Sequence, residues 1–569
     1  MLATIKDNHW IWLDQVTPGA EDVIIKEFSV RDPKAFFIDT GRDWDGYYRR
    51  FDRKNQRLAL PFLNKLIKCC ETHDVPLEIQ DIRPPSKFPA PQESQITDSL
   101  ISGIVAEPYQ VGAWKVVCKE EIGLISATTG AGKTETMAGI IQLFRCPTTI
   151  ITESTVVLHQ IVKRLELREV VHNDDIGLFC SGHLPNNNLV IVGNIQSISS
   201  PTRPKREGVR LNNFQMLKRL MTMVEKRNIK CYDFLPHPLV EALFENPLGI
   251  EKLANHGKYL QRIHDYMVEI EYLRRTQWYQ TRLMHAKQIQ DQVRNSDLLL
   301  VDEADLATKP QYTILFKRIF NGRRKYGVTG TVCSDDKPVQ NLLLEENLGS
   351  VIYETQREEV QARGRIIPVQ CTFISVGSPE NRKDCRAYDI AMKEDIVENN
   401  EFHQLVVKIN GYFAQEGNLI LLDTTPIEPL GKTLESIIPN SKFLYNKSSQ
   451  RERDENVKLF EERKLQCLIA GRIFKRGLDL AGGCENLIVI GGGRQDSNIT
   501  QMIGRAVRIN KRGWARIFCF YHLNNKYLYD HSRQNLKAVV NMGYPTTILL
   551  NRKQIDGREF IRTKFRIPR

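Results

Sequence analysis

Three groups of side chains, far apart along the chain, are of the types needed to hold and cleave a polyphosphate. The first is Ala127-Thr-Thr-Gly-Ala-Gly-Lys-Thr134. Gly130 and Gly132 let the backbone bend until its N–H groups face an anion, with Thr129 and Ala131 completing the loop, and a following helix would point its positive end at the same charge. Lys133 is then placed to reach the β and γ phosphates of ATP, and Thr134 to ligate Mg2+. The second group is Asp302-Glu303, directly after the apolar run Leu298–Val301. One carboxylate of such a pair can hold hydrated Mg2+ and the other can orient or deprotonate the attacking water, so Asp302 is assigned to the metal and Glu303 to the water. The third is Gln501-Met-Ile-Gly504-Arg505-Ala-Val-Arg508. On a helix Gln501, Gly504, Arg505 and Arg508 share one face. From there Arg505 and Arg508 could reach across a cleft to a transferring phosphoryl group. A glycine-rich turn, an exposed acidic turn and a solvated basic helix face are the bland alternatives for the three.

These side chains need a frame. Ile122 to Phe144 reads as a short apolar strand, a loop and an amphipathic helix, the order that a phosphate cradle requires. The Leu298–Val301 run is a buried strand, which sets both acids at the C-terminal edge of a sheet, where open α/β sheets bind ligands. From Val369 onward strands alternate with helices again: Val369–Ile374, Leu419–Asp423, Leu465–Ala470, Leu487–Ile490 and Arg516–Phe520, separated by segments such as Asp384–Gln415 and Gln450–Arg463. Such alternation predicts a parallel, doubly wound sheet. No second Gly-Lys-Thr occurs in this half, so it lacks a phosphate cradle of its own.

A chain of 569 residues, 41% apolar and 26% charged, is ordinary globular material for several domains. It has no apolar run suited to a membrane span, and the predicted setting is cytoplasmic. The 12 cysteines form no CxxC, which argues against a zinc ribbon and for reduced thiols. The net charge of +12 favours a polyanionic partner. Near the N-terminus, Trp44-Asp45-Gly46-Tyr47 reads as a hairpin turn, followed by interleaved rings and cations in which Arg49 and Arg50 are the candidate nucleic-acid contacts. Arg83 to Thr97 is proline-rich and reads as a spacer. Residues 201–296 carry 17 Lys+Arg against 10 Asp+Glu, with helical spacing at Phe214, Leu217, Leu220 and Met221 and at Leu260, Ile263, Met267, Ile270 and Leu273. That segment is predicted to be a basic helical insertion, either a clamp, wedge or docking element or a plain extension of the domain.

With the motifs assembled, the chain resembles a superfamily-two helicase core over about residues 98–200 and 297–525. The resemblance implies two RecA-like lobes with ATP between them. It gives Gln110, in Glu107-Pro-Tyr-Gln110, the role of reading adenine, and makes Ile150–Gln160 and Ile191–Ile198 the loops that grip a phosphodiester backbone. Thr329 and Thr331, in Thr-Gly-Thr, would couple hydrolysis to movement, and Gly477 and Asp479, in Arg472–Leu480, would join the nucleotide site. Asp302-Glu303-Ala-Asp305 spells the signature of the DEAD-box RNA helicases, but their companion motifs are absent: the chain has Ile-Thr-Glu-Ser-Thr-Val-Val-Leu-His-Gln, Thr-Gly-Thr and the QxxGRxxR form instead. Together with Phe36–Phe62, which holds Trp-Asp-Gly, a basic strand and Leu-Pro-Phe, these are similar to the bacteriophage UvsW-type helicases, relatives of the RecG and XPB group, which remodel branched DNA.

The expectation is therefore an α/β protein. A small α+β nucleic-acid-binding domain (1–83) and a linker (84–97) precede an ATP-binding RecA-like lobe (98–365) carrying the 201–296 insertion, a second lobe (366–540) and a basic tail (541–569). ATP and Mg2+ are the implied cofactors, with branched DNA or a single-strand/duplex junction as the partner, alongside replication or recombination proteins. A duplex translocase or origin-melting factor, a binding or annealing protein, and an RNA helicase are the alternatives.

Overall fold

The computed structural model describes residues 1–33, 35, 44–128, 130–180, 183–199, 257–330, 337–378, 387–423, 427–471, 480, 482–491, 499, 502–504, 508–550 and 553–564. Two large sheets dominate. The first orders its strands Val351–Glu354, Ile122–Ser126, Arg324–Thr329, Leu298–Asp302, Thr148–Thr152, Val190–Asn194 and Ile176–Phe179. From Val351–Glu354 across to Val190–Asn194 every neighbouring pair is parallel. The central strands are buried on both faces, Leu298, Leu299, Leu300 and Val301 completely so, which is why they read as continuous apolar runs.

The second sheet runs Ser441–Leu444, Cys467–Ala470, Asn418–Asp423, Asn486–Gly491, Ala515–His522, Val369–Val376, Thr546–Leu550 and Lys553–Asp556. It is parallel up to its last pair, which is antiparallel. Its core joins Ile420, Leu422, Ile469, Ile488 and Ile490 to Phe402, Val406, Leu430 and Leu434 of the helices Asn400–Tyr412 and Ile427–Ile437. Two parallel-sheet lobes, each layered with helices, are the α/β architecture expected.

The anticipated 541–569 tail is not a tail as far as residue 564. Thr546–Leu550 pairs in parallel with Val369–Val376, and the helix Gly557–Lys564 follows the edge strand. The apolar Ile548-Leu549-Leu550, just ahead of the basic stretch, buries Ile548 fully and draws the segment into the lobe.

At the N-terminus a four-stranded sheet, Arg57–Ala59, Trp10–Asp14, Leu2–Ile5 and Glu78–Asp81, packs with the helices Pro18–Glu27 and Leu63–Thr72 around Ile5, Ile11, Leu13, Ile24, Phe28, Leu58, Phe62 and Leu66. Leu342, from the first lobe's helix Pro338–Leu348, completes this core. The Asp45-Gly46 hairpin turn is corrected. Tyr47–Arg49 does pair antiparallel with Ser29–Arg31, but Asp32 N–H donates to the Gly46 carbonyl at 2.8 Å, so the dipeptide sits at the foot of a long connection rather than at a two-residue tip.

The chain separates into two compact units, the second comprising Phe179–Leu184 and Gln196–Val293. Its described part is dominated by one helix, Gly257–Arg294, about 57 Å long at 1.5 Å per residue. Ala286, Ile289 and Val293 on it are buried, and Leu273, Trp278 and Met284 are exposed. Phe214, Leu217, Leu220 and Met221 lie outside the described residues. No described helix is long and apolar enough to cross a membrane.

Candidate active site

The phosphate cradle is built where the strand Ile122–Ser126 hands over to the helix Lys133–Phe144. Gly130 and Gly132 adopt φ of +90° and +75°, left-handed backbone that other residues rarely enter. Space demands glycine as well: a Cβ on Gly132 would lie 2.6 Å from Gln110 Nε2, and one on Gly130 would lie 2.3 Å from Ile366 Cγ2. Ala127 N–H donates to the Thr329 carbonyl at 2.8 Å, tying the loop's start to the end of the neighbouring strand.

Gln110 is buried and clamps this loop. Its Nε2 donates to the carbonyls of Ala131 (3.2 Å) and Gly132 (3.4 Å), while its Oε1 accepts from Glu107 N–H at 2.9 Å. Glu107 caps the helix Pro108–Val117 that carries Gln110. It also pairs with Arg365 at 2.6 Å and Arg363 at 3.5 Å.

Facing the cradle, Lys133 Nζ donates to Glu303 Oε1 at 2.9 Å. Burial works against the ammonium, but Glu303, Asp302 and Asp305 together more than offset it and raise its pKa. Asp302 closes its strand, and burial pushes its carboxyl up to about 6, opposed by Lys133 and assisted by Glu303. Asp305 is likewise lifted to about 6, mainly by burial and then by Glu303, while accepting a 3.2 Å hydrogen bond from Thr329 Oγ1. Glu303 itself has φ +50°, a strained value of the kind that concentrates at functional sites.

Three carboxylates within reach of a single ammonium form a donor set short of positive charge. A hydrated divalent ion that needs one carboxylate, one hydroxyl and phosphate oxygens fits that deficit. Among the described residues no group of three or more His, Cys, Asp or Glu is placed to hold a metal ion by itself.

From the second lobe, Arg508 is half-buried, and desolvation, together with the like charge of Arg164, lowers its pKa. Arg164 belongs to the first lobe's helix Thr155–Leu167 and bonds to Glu135, in the first turn of the cradle helix, at 3.1 Å. Thr129, Thr331, Gly477, Asp479, Gln501 and Arg505 lie outside the described residues.

The two N-terminal arginines divide. Arg49 is half-exposed and ion-paired with Asp45. Arg50 turns inward, 3.4 Å from the buried Glu346, which Lys317 also holds at 2.6 Å. Arg50 thereby links the N-terminal module to the first lobe. The sequence reading gave no role to Asp305, Glu107 or Arg365. Asp305 and Glu107 stand inside quoted motifs and were findable there; Arg365 carried no signal.

Two family models match the chain: the type III restriction enzyme res subunit over residues 97–221 and the helicase conserved C-terminal domain over residues 415–510. No curated protein sequence matches. Solved structures similar to it include UvsW of bacteriophage T4 (12% identity, 96% of this chain and 98% of that one, TM-score 0.40). Another is Saccharomyces cerevisiae Dbp5 bound to RNA and ADP BeF3 (14%, 78% and 90%, 0.46). A third is a fragment of an HsdR subunit of a type I restriction enzyme from Vibrio vulnificus YJ016 (13%, 88% and 78%, 0.47). One family model falls in each lobe, over the residues that hold the cradle and over those that hold the 501–508 motif, and these matches support an ATP-hydrolysing, helicase-type nucleic-acid motor.

Proposed function

We propose that the chain is a DNA helicase or translocase that remodels branched DNA, with replication or recombination as its setting. The observation that carries the motor chemistry is the 2.9 Å Lys133–Glu303 pair beside buried Asp302, at the mouth of a glycine-bent loop. In this reading the backbone from Thr129 to Lys133 cradles the phosphates, and Lys133 leaves Glu303 for the γ-phosphate when ATP enters. Glu303, released, orients the attacking water. Asp302 and Thr134 would hold one Mg2+, which supplies charge neutralisation on the phosphates. Gln110 reads the base while fixing the loop, and Gly477 and Asp479 complete the nucleotide site.

Arg505 and Arg508 approach the γ-phosphate from the second lobe as that lobe closes, with Gln501 on the same face. Thr329 and Thr331 pass the change at Asp305 to the backbone-gripping loops. Because the second lobe moves against the loops that hold the strand, each closure and reopening advances the motor along it.

The DNA assignment rests on the QxxGRxxR form of the 501–508 helix, the Thr-Gly-Thr motif and the +12 charge. The experiment is ATP turnover by the full chain with single strand, duplex, fork, four-way junction and RNA. Forked or four-way DNA is expected to stimulate most. Stimulation by RNA alone would overturn the assignment, and turnover on duplex without strand release would favour the translocase alternative.

A further inference from the structure

The segment between the lobes does more than connect them. Thr355 N–H donates to the Ser126 carbonyl at 2.8 Å, so the chain leaves its edge strand alongside the strand that feeds the phosphate cradle. The short helix Arg357–Ala362 follows. Its Arg357 reaches the second lobe, donating to the Met542 carbonyl at 3.2 Å and lying 3.6 Å from the ring centroid of Tyr544. The chain then returns to the cradle. Arg365 bonds to Glu107 at 2.6 Å, and Ile366, 3% exposed, rests on Gly130 closely enough that a Cβ there would collide with it. Glu107 caps the helix whose Gln110 clamps Ala131 and Gly132. Two contacts on one short segment therefore touch the cradle, one directly at Gly130 and one through Glu107 and Gln110, and a third holds the second lobe.

We infer that Arg365 and Ile366 are positioning residues of the nucleotide site, and that the linker passes occupancy of the phosphate cradle to the second lobe through Arg357 and Tyr544. The physical reason is geometric. A polyphosphate drawn onto the backbone N–H groups of residues 130–134 changes the loop that Ile366 covers, and the packed linker follows because dense contacts shift between discrete arrangements. Arg363, 3.5 Å from Glu107 and half-exposed, adds a second cation to the same acid. This inference rests on the ATP-driven reading of the cradle but adds a second route between nucleotide and lobe motion, separate from Arg505 and Arg508.

The test is amide hydrogen exchange on the full chain, with and without AMP-PNP and Mg2+, followed in peptides covering the cradle, residues 355–367 and residues 542–546. In the unaltered protein all three respond, with a change of about fivefold or more in the linker, the lower range of typical coupling. At AMP-PNP concentrations that saturate each variant, Ile366→Ala loses the response of 542–546. Arg365→Ala weakens mant-ADP binding, and Arg365→Lys restores it, which a purely structural role would not predict. A cradle that responds while residues 355–367 do not overturns the inference, as does an Ile366→Ala variant whose 542–546 response is unchanged. Turnover that ignores every nucleic acid would instead sink the motor reading, leaving the exchange result to decide the linker on its own.

Discussion

Lys133 faces Glu303, Asp302 and Asp305 with one positive charge, and the site is poised for the cations that a nucleotide brings. Lys133→Ala removes the donor for the transferring phosphate, and ATP turnover is expected to fall about 10²- to 10³-fold, the cost of deleting a preorganised donor at a developing charge. A phosphate-release assay at saturating nucleic acid checks it. Thr329→Val leaves Asp305 buried without its hydroxyl partner. Strand displacement is expected to drop more than ATP turnover, and a parallel loss of both would make Thr329 a mere support of the site. Arg50→Ala should lower the melting temperature, because Glu346 would keep only Lys317, whereas Arg49→Ala should leave stability intact. The acids and the lysine were legible in the sequence because their chemistry fixes them to the residues following an apolar strand. The Glu107–Arg365 pair was not, since 258 positions separate its members and nothing local marks Arg365.

Elements were legible where burial imposes a long apolar run and illegible where a partner strand decides. Leu298–Asp302 and Asn418–Asp423 follow from their sequences, being buried on both faces. Asp45-Gly46 misleads because the turn propensity is real while the strand partner lies at Ser29–Arg31. Lys325, inside the strand Arg324–Thr329, breaks the pattern: it is 2% exposed, and its Nζ makes a 3.4 Å hydrogen bond to the Asn8 carbonyl. Burial, then the charge of Arg83, lowers its pKa to about 8, with Asp7 opposing. His9, whose pKa is lowered by burial and then by Lys325, faces the same group. Since the unfolded lysine binds its proton more tightly, the cost of burying it is complete below pH 8 and fades as pH rises toward the unfolded value. That cost is on the order of 3 kcal/mol, from the size of the shift. Lys325→Met should therefore raise the melting temperature at pH 7, with the gap to the unaltered protein narrowing between pH 8 and 10. A gap constant over that range would show that charge burial is not the cause.

At the scale of the molecule, the N-terminal sheet is docked rather than tethered. Asn8 donates to the Asn321 carbonyl at 2.8 Å, Arg83 holds Glu121 at 2.9 Å, Lys65 holds Glu345 at 2.9 Å, and Leu342 enters its core. The proline-rich composition of Arg83–Thr97 suggested a spacer, and composition alone cannot announce a docking surface assembled from side chains hundreds of positions away. Removing residues 1–90 would bare Leu342, so point variants are the cleaner probes of this module. The two-lobe architecture itself was legible, because alternating strands and helices dictate it, while the long helix Gly257–Arg294 was visible only as scattered helical spacing. The central claim is that a nucleotide gripped by Lys133 is completed by arginine from the second lobe. The most direct measurement is single-turnover ATP hydrolysis by the full chain on forked DNA, comparing the unaltered protein with Arg508→Ala. The account predicts a loss of about 10³-fold or more, with nucleotide affinity nearly unchanged. Hydrolysis at the unaltered rate would contradict it.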